Sequence, residues 1–260
     1  RGGAAINVLA RAIAAPLEVV DVGVASPLPA ELPIVHARVR AGTGNLRTEA
    51  AMSLDECRQA LAIGRASARR LHAQGATLLI AGDMGIGNTT ASACLVCAFT
   101  GATPEDIVGL GTGIDDARRA HKVAVVGEAL ARAQAAGAHD GESWLAQVGG
   151  LEIAAMAGLL LEAAALGIPA LLDGFIATAA ALAARAIEPA AADWWLASHR
   201  SQEQGHLRAL TALGLTPLID LELRLGEGSG AALAVPLIQM AVRLHNEMAT
   251  FAEAGVSGAA

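Results

Sequence analysis

The stretch Thr77-Leu78-Leu79-Ile80-Ala81-Gly82-Asp83-Met84-Gly85-Ile86-Gly87-Asn88-Thr89-Thr90 decides the fold. Thr77 to Ala81 form a short apolar run of strand length, glycines then turn the chain, and Thr89 or Thr90 opens a helix that continues through Phe99. A strand apolar on both faces that passes through a glycine loop into a helix is the building unit of a buried parallel sheet.

The same order recurs further along. A helix over about Leu151 to Leu166 feeds the run Ala170 to Leu172, which ends at Asp173-Gly174 before a helix from Ile176 to Ile187. Pro217 to Leu225 reads as strand or extended chain, and Gly226-Glu227-Gly228-Ser229-Gly230 leads into a helix from Gly230 to Phe251, with Pro236 near its start or bending it. Upstream, Ala4 to Ala14 is helical in pattern and Leu17 to Val22 reads as a strand. Ser53-Leu54-Asp55-Glu56 is a capping box for a helix that runs to Gln74 and stops at Gly75. Ile107 to Leu110 reads as a short strand or loop, Gly111-Thr112-Gly113 as a turn, and Asp115 as the cap of a helix reaching Ala136. Residues 141–150 and 188–204 read as loop or boundary regions.

Short apolar strands separated by helices predict a layered, Rossmann-like α/β fold with a mainly parallel sheet flanked by helices. Ligands in such sheets bind beyond the carboxyl ends of the strands. Gly82-Asp83, Asp173-Gly174 and Gly226-Glu227 each follow a predicted strand, so three distant regions are expected to converge on one crevice.

Composition narrows the function classes. Of 260 residues, 54% are apolar but only 2% aromatic, so the core must be built from Ala, Leu, Val and Ile, which favours closely packed helices. The formal charge of −7 and the lack of a basic tract argue against nucleic acid and against an anionic membrane surface. Leu151 to Ala184 is apolar enough to imitate a membrane span, but Glu152, Glu162 and Asp173 interrupt it, and a buried helix-strand-helix is the better reading. Cys57, Cys94 and Cys97 suggest no disulfide framework. The Cys94-x-x-Cys97 pair stands in an Ala/Val-rich run without a second ligand pair and is explained as well by buried thiols as by redox or metal chemistry. A reducing cytoplasm follows naturally, and the absence of an initial methionine before Arg1 leads us to expect upstream sequence.

Three segments carry candidate chemistry. In the first loop, Gly85, Gly87, Asn88 and Thr89 offer backbone amides and a helix start for phosphate or ribose oxygens, and Asp83 offers a carboxylate. This loop is neither G-x-x-x-x-G-K-[ST] nor G-x-G-x-x-G, and a tight turn with a cap is the plain alternative. Gly111, Thr112 and Gly113, followed by Lys122, form a second loop suited to an oxyanion, although Lys122 also suits a surface pairing with Asp115 or Asp116. Ser198 to His206 is unusually polar; Ser201 suits a phosphate pocket, whereas His199, Glu203 and His206 invite a metal reading that fits no strong zinc spacing. Leu225 and Glu227 border the third glycine run. Glu227 is either held against a ligand or caps the helix that begins at Ser229 or Gly230, and Asp173 either contacts substrate or ties a strand end to the following helix.

Seven ordered blocks resemble the nicotinate-nucleotide–dimethylbenzimidazole phosphoribosyltransferases: RGGAAINVLAR from Arg1, GDMGIGNTTASA from Gly82, GTGIDDARRAHKVAVV from Gly111, GGLEIAAMAG from Gly149, PALLDGFIATAAALAA from Pro169, SHRSQEQGH from Ser198 and LRLGEGSGAALAVPLIQMAV from Leu223. The resemblance implies exchange of nicotinate for 5,6-dimethylbenzimidazole at C1′ of nicotinate mononucleotide, giving α-ribazole 5′-phosphate, with neither metal nor cofactor. It implies Glu227 as the base that removes the benzimidazole N–H, phosphate contacts around Gly111, Gly113, Lys122 and Ser201, and Asp83 where family members commonly carry Glu. It further implies a homodimer and a small helical domain built from chain ends, with residues 1–15 and 231–260 flanking an α/β catalytic domain at 16–230. Family members also continue upstream of RGG with a segment that contributes to the base pocket, so the small domain is expected to be incomplete here. A catalytically impaired nucleotide-binding or regulatory homologue is the alternative.

Overall fold

Residues 2–84, 87–109 and 116–255 are described by a computed structural model. In chain order the elements are α1 (Ala5–Ala12), β1 (Val20–Asp21), β2 (Val35–His36), α2 (Leu54–Ala73), β3 (Leu79–Ala81), α3 (Thr89–Thr100), α4 (Pro104–Ile107), α5 (Asp116–Ala135), α6 (Gly141–Val148) and α7 (Leu151–Ala165). They continue with β4 (Ala170–Leu172), α8 (Phe175–Ile187), a 3-10 helix (Pro189–Trp194), β5 (Trp195–Ser201), α9 (His206–Leu213), β6 (Pro217–Leu223) and α10 (Ser229–Glu247).

β3, β4, β5 and β6 form one parallel sheet in that order, with Ala81 opposite Leu172 and Leu172 opposite Ala197. Each crossover therefore advances in the same direction, and right-handed connections place the intervening helices on one face. The strand alternation fits this: Leu79, Ala81, Ala170, Leu172 and Trp195 belong to the main core, whereas Leu171 joins Ala231, Ala234 and Val235 in a second cluster with Ile80 and Ile219 packed beside it. α10 covers that second face, and α1 lies along α10. β1 and β2 form a separate two-stranded parallel pair.

Alanine and glycine set the spacing of the main layer. A methyl group on Gly64 would lie 1.7 Å from the Ala155 carbonyl oxygen, and one on Gly158 would lie 2.0 Å from that of Leu61, so α2 and α7 meet backbone to backbone. Leu151 to Ile187 is a buried helix-strand-helix, and among the described residues no helix is long and apolar enough to cross a membrane.

Several boundaries differ from expectation. Ile107 ends the short helix α4, opened by a capping box between Thr103 and Asp106, and is not strand. Residues 141–148 are helix α6, because Asp140 caps Ser143 and Trp144, Leu145 and Val148 are buried, which outweighs the flanking glycines. Residues 188–204 are no boundary: they hold the 3-10 helix and β5, whose His and Ser side chains hide a strand pattern. The first predicted strand shrinks to Val20–Asp21, and α10 ends at Glu247 after passing through Pro236. The predicted cap Asp115 lies outside the described residues.

Gly158→Ala should lower the urea unfolding midpoint by an amount equivalent to about 2 kcal/mol or more, because a backbone carbonyl has nowhere to retreat in a filled core. An unchanged midpoint would mean that α2 and α7 do not need this close crossing.

Candidate functional site

Helix N-termini and strand C-termini collect at one edge of the sheet. The loop after β3 and the loop before α10 touch directly: the Glu227 N–H donates to the Asp83 carbonyl at 3.1 Å. Gly82 permits the contact, since a methyl group there would lie 2.6 Å from the Gly228 nitrogen and 2.7 Å from the Glu227 carbonyl carbon. Gly226, Glu227 and Gly228 all have positive φ, at 85°, 63° and 80°. This left-handed run turns the chain sharply from β6 into α10.

Asp173, at the end of β4, is buried and fixes the run from behind. Its carboxylate accepts from the Gly228 N–H at 3.2 Å and the Ala231 N–H at 3.0 Å, so it caps α10 from another part of the chain. Both oxygens are thus turned to backbone. The Glu227 carboxylate, by contrast, does not cap α10: its Oε2 accepts from the Ile6 N–H in the first turn of α1 at 3.1 Å. Ile6, Gly82, Glu152 and Glu227 are among the residues lining a largely apolar cavity of about 1090 Å³ bounded by α1, α2, α7, α10, the chain after α1 and the β3 edge of the sheet.

Asp83 is half-buried. Burial raises its pKa to about 6, opposed by the Asn88 amide that donates to it at 2.8 Å and assisted by the charges of Asp173 and Glu152. Asn88 is buried, and Gly87 takes a φ of 89°. No capping bond comes from the Asn88 side chain, so among the described residues no side chain at the N-cap meets the first-turn amides of α3. Lys122, on α5, reaches the same place and donates to the Thr89 hydroxyl at 2.8 Å. Burial lowers its pKa, against the nearby Glu203 carboxylate that favours its charge. An uncapped helix start beside a desolvated ammonium has the donors and charge that an oxyanion requires.

The end of β5 completes this corner. Ser201 is buried, its hydroxyl accepts from the Glu203 N–H at 3.3 Å, and its own N–H donates to His206 Nδ1 at 2.9 Å. That bond puts the His206 proton on Nε2, which faces the Thr178 hydroxyl at 3.0 Å; Thr178 in turn donates to the Gly174 carbonyl at 2.9 Å. Burial, then the neighbouring His199 ring, pushes His206 down to about 3. With both nitrogens engaged, His206 serves to tie the ends of β4 and β5 together. His199 is also buried, with Nδ1 2.9 Å from the Ser198 hydroxyl and 3.9 Å from Asp173, so the metal reading of His199, Glu203 and His206 does not hold in this arrangement. Among the described residues no group of three His, Cys, Asp or Glu is placed to hold a metal ion.

Leu225 stands 61% exposed at the rim, as does Met84 at 66%. Cys94 and Cys97 are buried, and burial pushes both thiols up to about 12, which makes them packing groups at neutral pH. Gly85, Gly111, Thr112 and Gly113 lie outside the described residues. Sequence reasoning missed Ile6, Glu152 and the Thr178–His206 link. Ile6 contributes a backbone amide, which leaves no side-chain signal, and Glu152 reads only as an acid in a helix's first turn.

A parallel sheet whose edge joins an oxyanion corner to a carboxylate in an apolar cavity defines an enzyme that handles a phosphorylated substrate and a proton. The whole-chain comparisons name the class: a family model described as phosphoribosyltransferase matches residues 1–256. The nicotinate-nucleotide–dimethylbenzimidazole phosphoribosyltransferase of Chromobacterium violaceum is 63% identical over 257 residues, covering 99% of this chain and 74% of that protein. The enzyme of the same name from Pseudomonas aeruginosa is 52% identical over 259 residues, covering 99% and 73%. A crystal structure of the Thermus thermophilus enzyme superposes with a TM-score of 0.93 at 48% identity, covering 100% of this chain and 76% of that one. The chain belongs to the nicotinate-nucleotide–dimethylbenzimidazole phosphoribosyltransferase family.

The raised pKa of Asp83 fixes a pH signature. An acid whose folded pKa exceeds its unfolded value of 3.8 is protonated in both states at low pH, and its cost to stability builds as pH rises from about 4 to about 6 and is complete above that. Asp83→Asn should therefore gain up to about 3 kcal/mol over the parent at pH about 7, and almost nothing near pH about 3, in paired urea titrations. An equal gain at both pH values would remove ionisation as the cause.

Proposed function

We propose that the chain transfers the phosphoribosyl group of nicotinate mononucleotide to 5,6-dimethylbenzimidazole, with Glu227 as the proton acceptor. The observation that carries this reading is the placement of the Glu227 carboxylate in the lining of the apolar cavity, braced by Asp83 and Asp173. A flat aromatic base fits an apolar enclosure, and its N–H requires a single acceptor at the wall.

The phosphate is assigned to the corner formed by the α3 N-terminus, Lys122, Thr89 and the Ser201 turn, with Gly111, Thr112 and Gly113 as further contacts. The sugar then spans from that corner toward Asp83, with Gly87 and Asn88 beside it, Leu225 at the rim and Gly85 as a further contact. Asp173 acts from behind rather than on substrate. The C1′–N bond to nicotinate breaks with its electron pair passing to the positively charged pyridinium nitrogen, which makes nicotinate a good leaving group without a metal or cofactor. A benzimidazole nitrogen forms the new bond from the opposite face, which inverts the β-nucleotide to an α-product, while the proton on the other nitrogen passes to Glu227. Asp83 is one methylene shorter than the Glu common in the family, but its bond to Glu227 runs through backbone and does not depend on that length.

The packing of α1 along α10 supports a small helical unit made from residues 1–15 and 231–260 beside the α/β body at 16–230. A cytoplasmic homodimer is the assembly that the family resemblance implies.

Glu227→Gln should lower kcat roughly 100-fold to 10,000-fold while leaving KM for nicotinate mononucleotide within about threefold. Near-normal kcat at saturating substrates would eliminate Glu227 as base. Lys122→Met should do the converse, raising that KM about tenfold to a hundredfold through loss of a charge-assisted contact, while KM for the benzimidazole stays put. A rise in the benzimidazole KM instead would move Lys122 away from the phosphate.

A further inference from the structure

The first turn of α1 has a donor without a partner of its own. Ala4 begins the helix with extended backbone and makes no side-chain cap, and the first bond within the helix is Val8 N–H to the Ala4 carbonyl. Ile6 N–H is one of the free amides that such a start leaves over. It is satisfied by Glu227, 221 residues away, through Oε2 alone. Among the described residues no donor reaches Oε1, and Ile6 and Glu227 line the same cavity.

A flexible glutamate side chain samples many rotamers, and a base is effective only when its oxygen meets the proton in line and at hydrogen-bond distance. The backbone of Glu227 is already fixed by Asp83 and by the Asp173 cap on Gly228. Its side chain is fixed at one further point, the Ile6 amide. We propose that the Ile6 backbone N–H is a positioning group for catalysis: it holds Oε2 of Glu227 and thereby turns Oε1 toward the base in the cavity. α1 is thus coupled to the chemistry through one amide, without its side chains touching the reacting atoms. The inference rests on Glu227 being the base.

The experiment removes that amide alone. Ile6→Pro deletes the N–H at a first-turn position where no intrahelical bond is lost, and Ala5→Pro sets the same ring one residue earlier, after an extended Ala4, with the Ile6 amide intact. Replacing Ile6 by its α-hydroxy acid analogue turns the amide into an ester and retains both side chain and helix geometry. Ile6→Pro and the ester should each lower kcat about tenfold to a hundredfold, with KM for nicotinate mononucleotide unchanged and the melting temperature of the ester close to that of the parent. Ala5→Pro should keep parental kcat. If the ester retains parental kcat, or Ala5→Pro loses as much as Ile6→Pro while the ester does not, the Ile6 amide has no positioning role. Glu227→Gln, assayed alongside, separates the two claims: its loss of turnover together with a fully active ester overturns only the role of Ile6, whereas its retention of turnover overturns the base assignment itself.

Discussion

Two backbone amides on one buried carboxylate hold this site together. Asp173 is 2% exposed and would be costly to bury alone, yet its oxygens face Gly228 N–H and Ala231 N–H, two donors that the start of α10 otherwise leaves unsatisfied. Each group removes the other's penalty. The pair also joins the end of β4 to the first turn of α10, the helix that closes the second face of the sheet over Leu171. His199 buttresses the joint: the Gly230 backbone lies so close to its ring that a methyl group there would stand 2.1 Å from Nδ1. The orientation of Glu227 follows from this joint, because Gly228 is its neighbour in the chain.

Helix starts differ in how their first amides are met. α2, α4 and α6 carry capping boxes of their own, from Ser53, Thr103 and Asp140. α1, α3 and α10, like α7, α8 and α9, have no side-chain cap at their N-cap residue. Glu227 supplies α1, Asp173 supplies α10, and α3 is left open beside Lys122. Had α3 carried a Ser or Asp bonded to its own first turn, the amides and their dipole would already be neutralised and the corner would hold an anion less well.

That arrangement also explains what the sequence could show. β3, β4 and the glycine runs after them were legible because an apolar strand followed by a glycine leaves a local pattern, and Asp83, Asp173 and Glu227 stood out as acids at those junctions. β5 is not legible: Ser198, His199 and Ser201 are buried polar residues, Ser198 and His199 pair within the strand, and Asp173 beside His199 and His206 on the Ser201 N–H come from other elements, so the strand resembles a polar loop. Residues 141–148 were obscured by Gly141 and Gly149, although their helix is packed through Trp144, Leu145 and Val148. The sequence offers Glu227 as a cap only for the helix next to it, and that reading fails: its carboxylate accepts from the Ile6 N–H of α1. Only the fold shows that Asp173 takes that task and sends Glu227 to α1.

Backbone strain separates Glu227 from residues that share its conformation. Ala14 and Glu222 also have positive φ, at 52° and 56°. Ala14 ends α1 in the usual left-handed way, with its N–H on Arg11 and that of Ala15 on Ala10, and Glu222 falls where the register between β5 and β6 slips. Both serve chain direction, and neither needs its side chain. At position 227 a glycine would relax the backbone by about 1 kcal/mol, matching the glycines on either side. A glutamate there forgoes that gain and places a carboxylate against α1 and the cavity instead. The strain is held by bonds on both sides, from Asp83 to its N–H and from Asp173 to the next residue, so the cost falls on the fold while the carboxylate is held in one orientation.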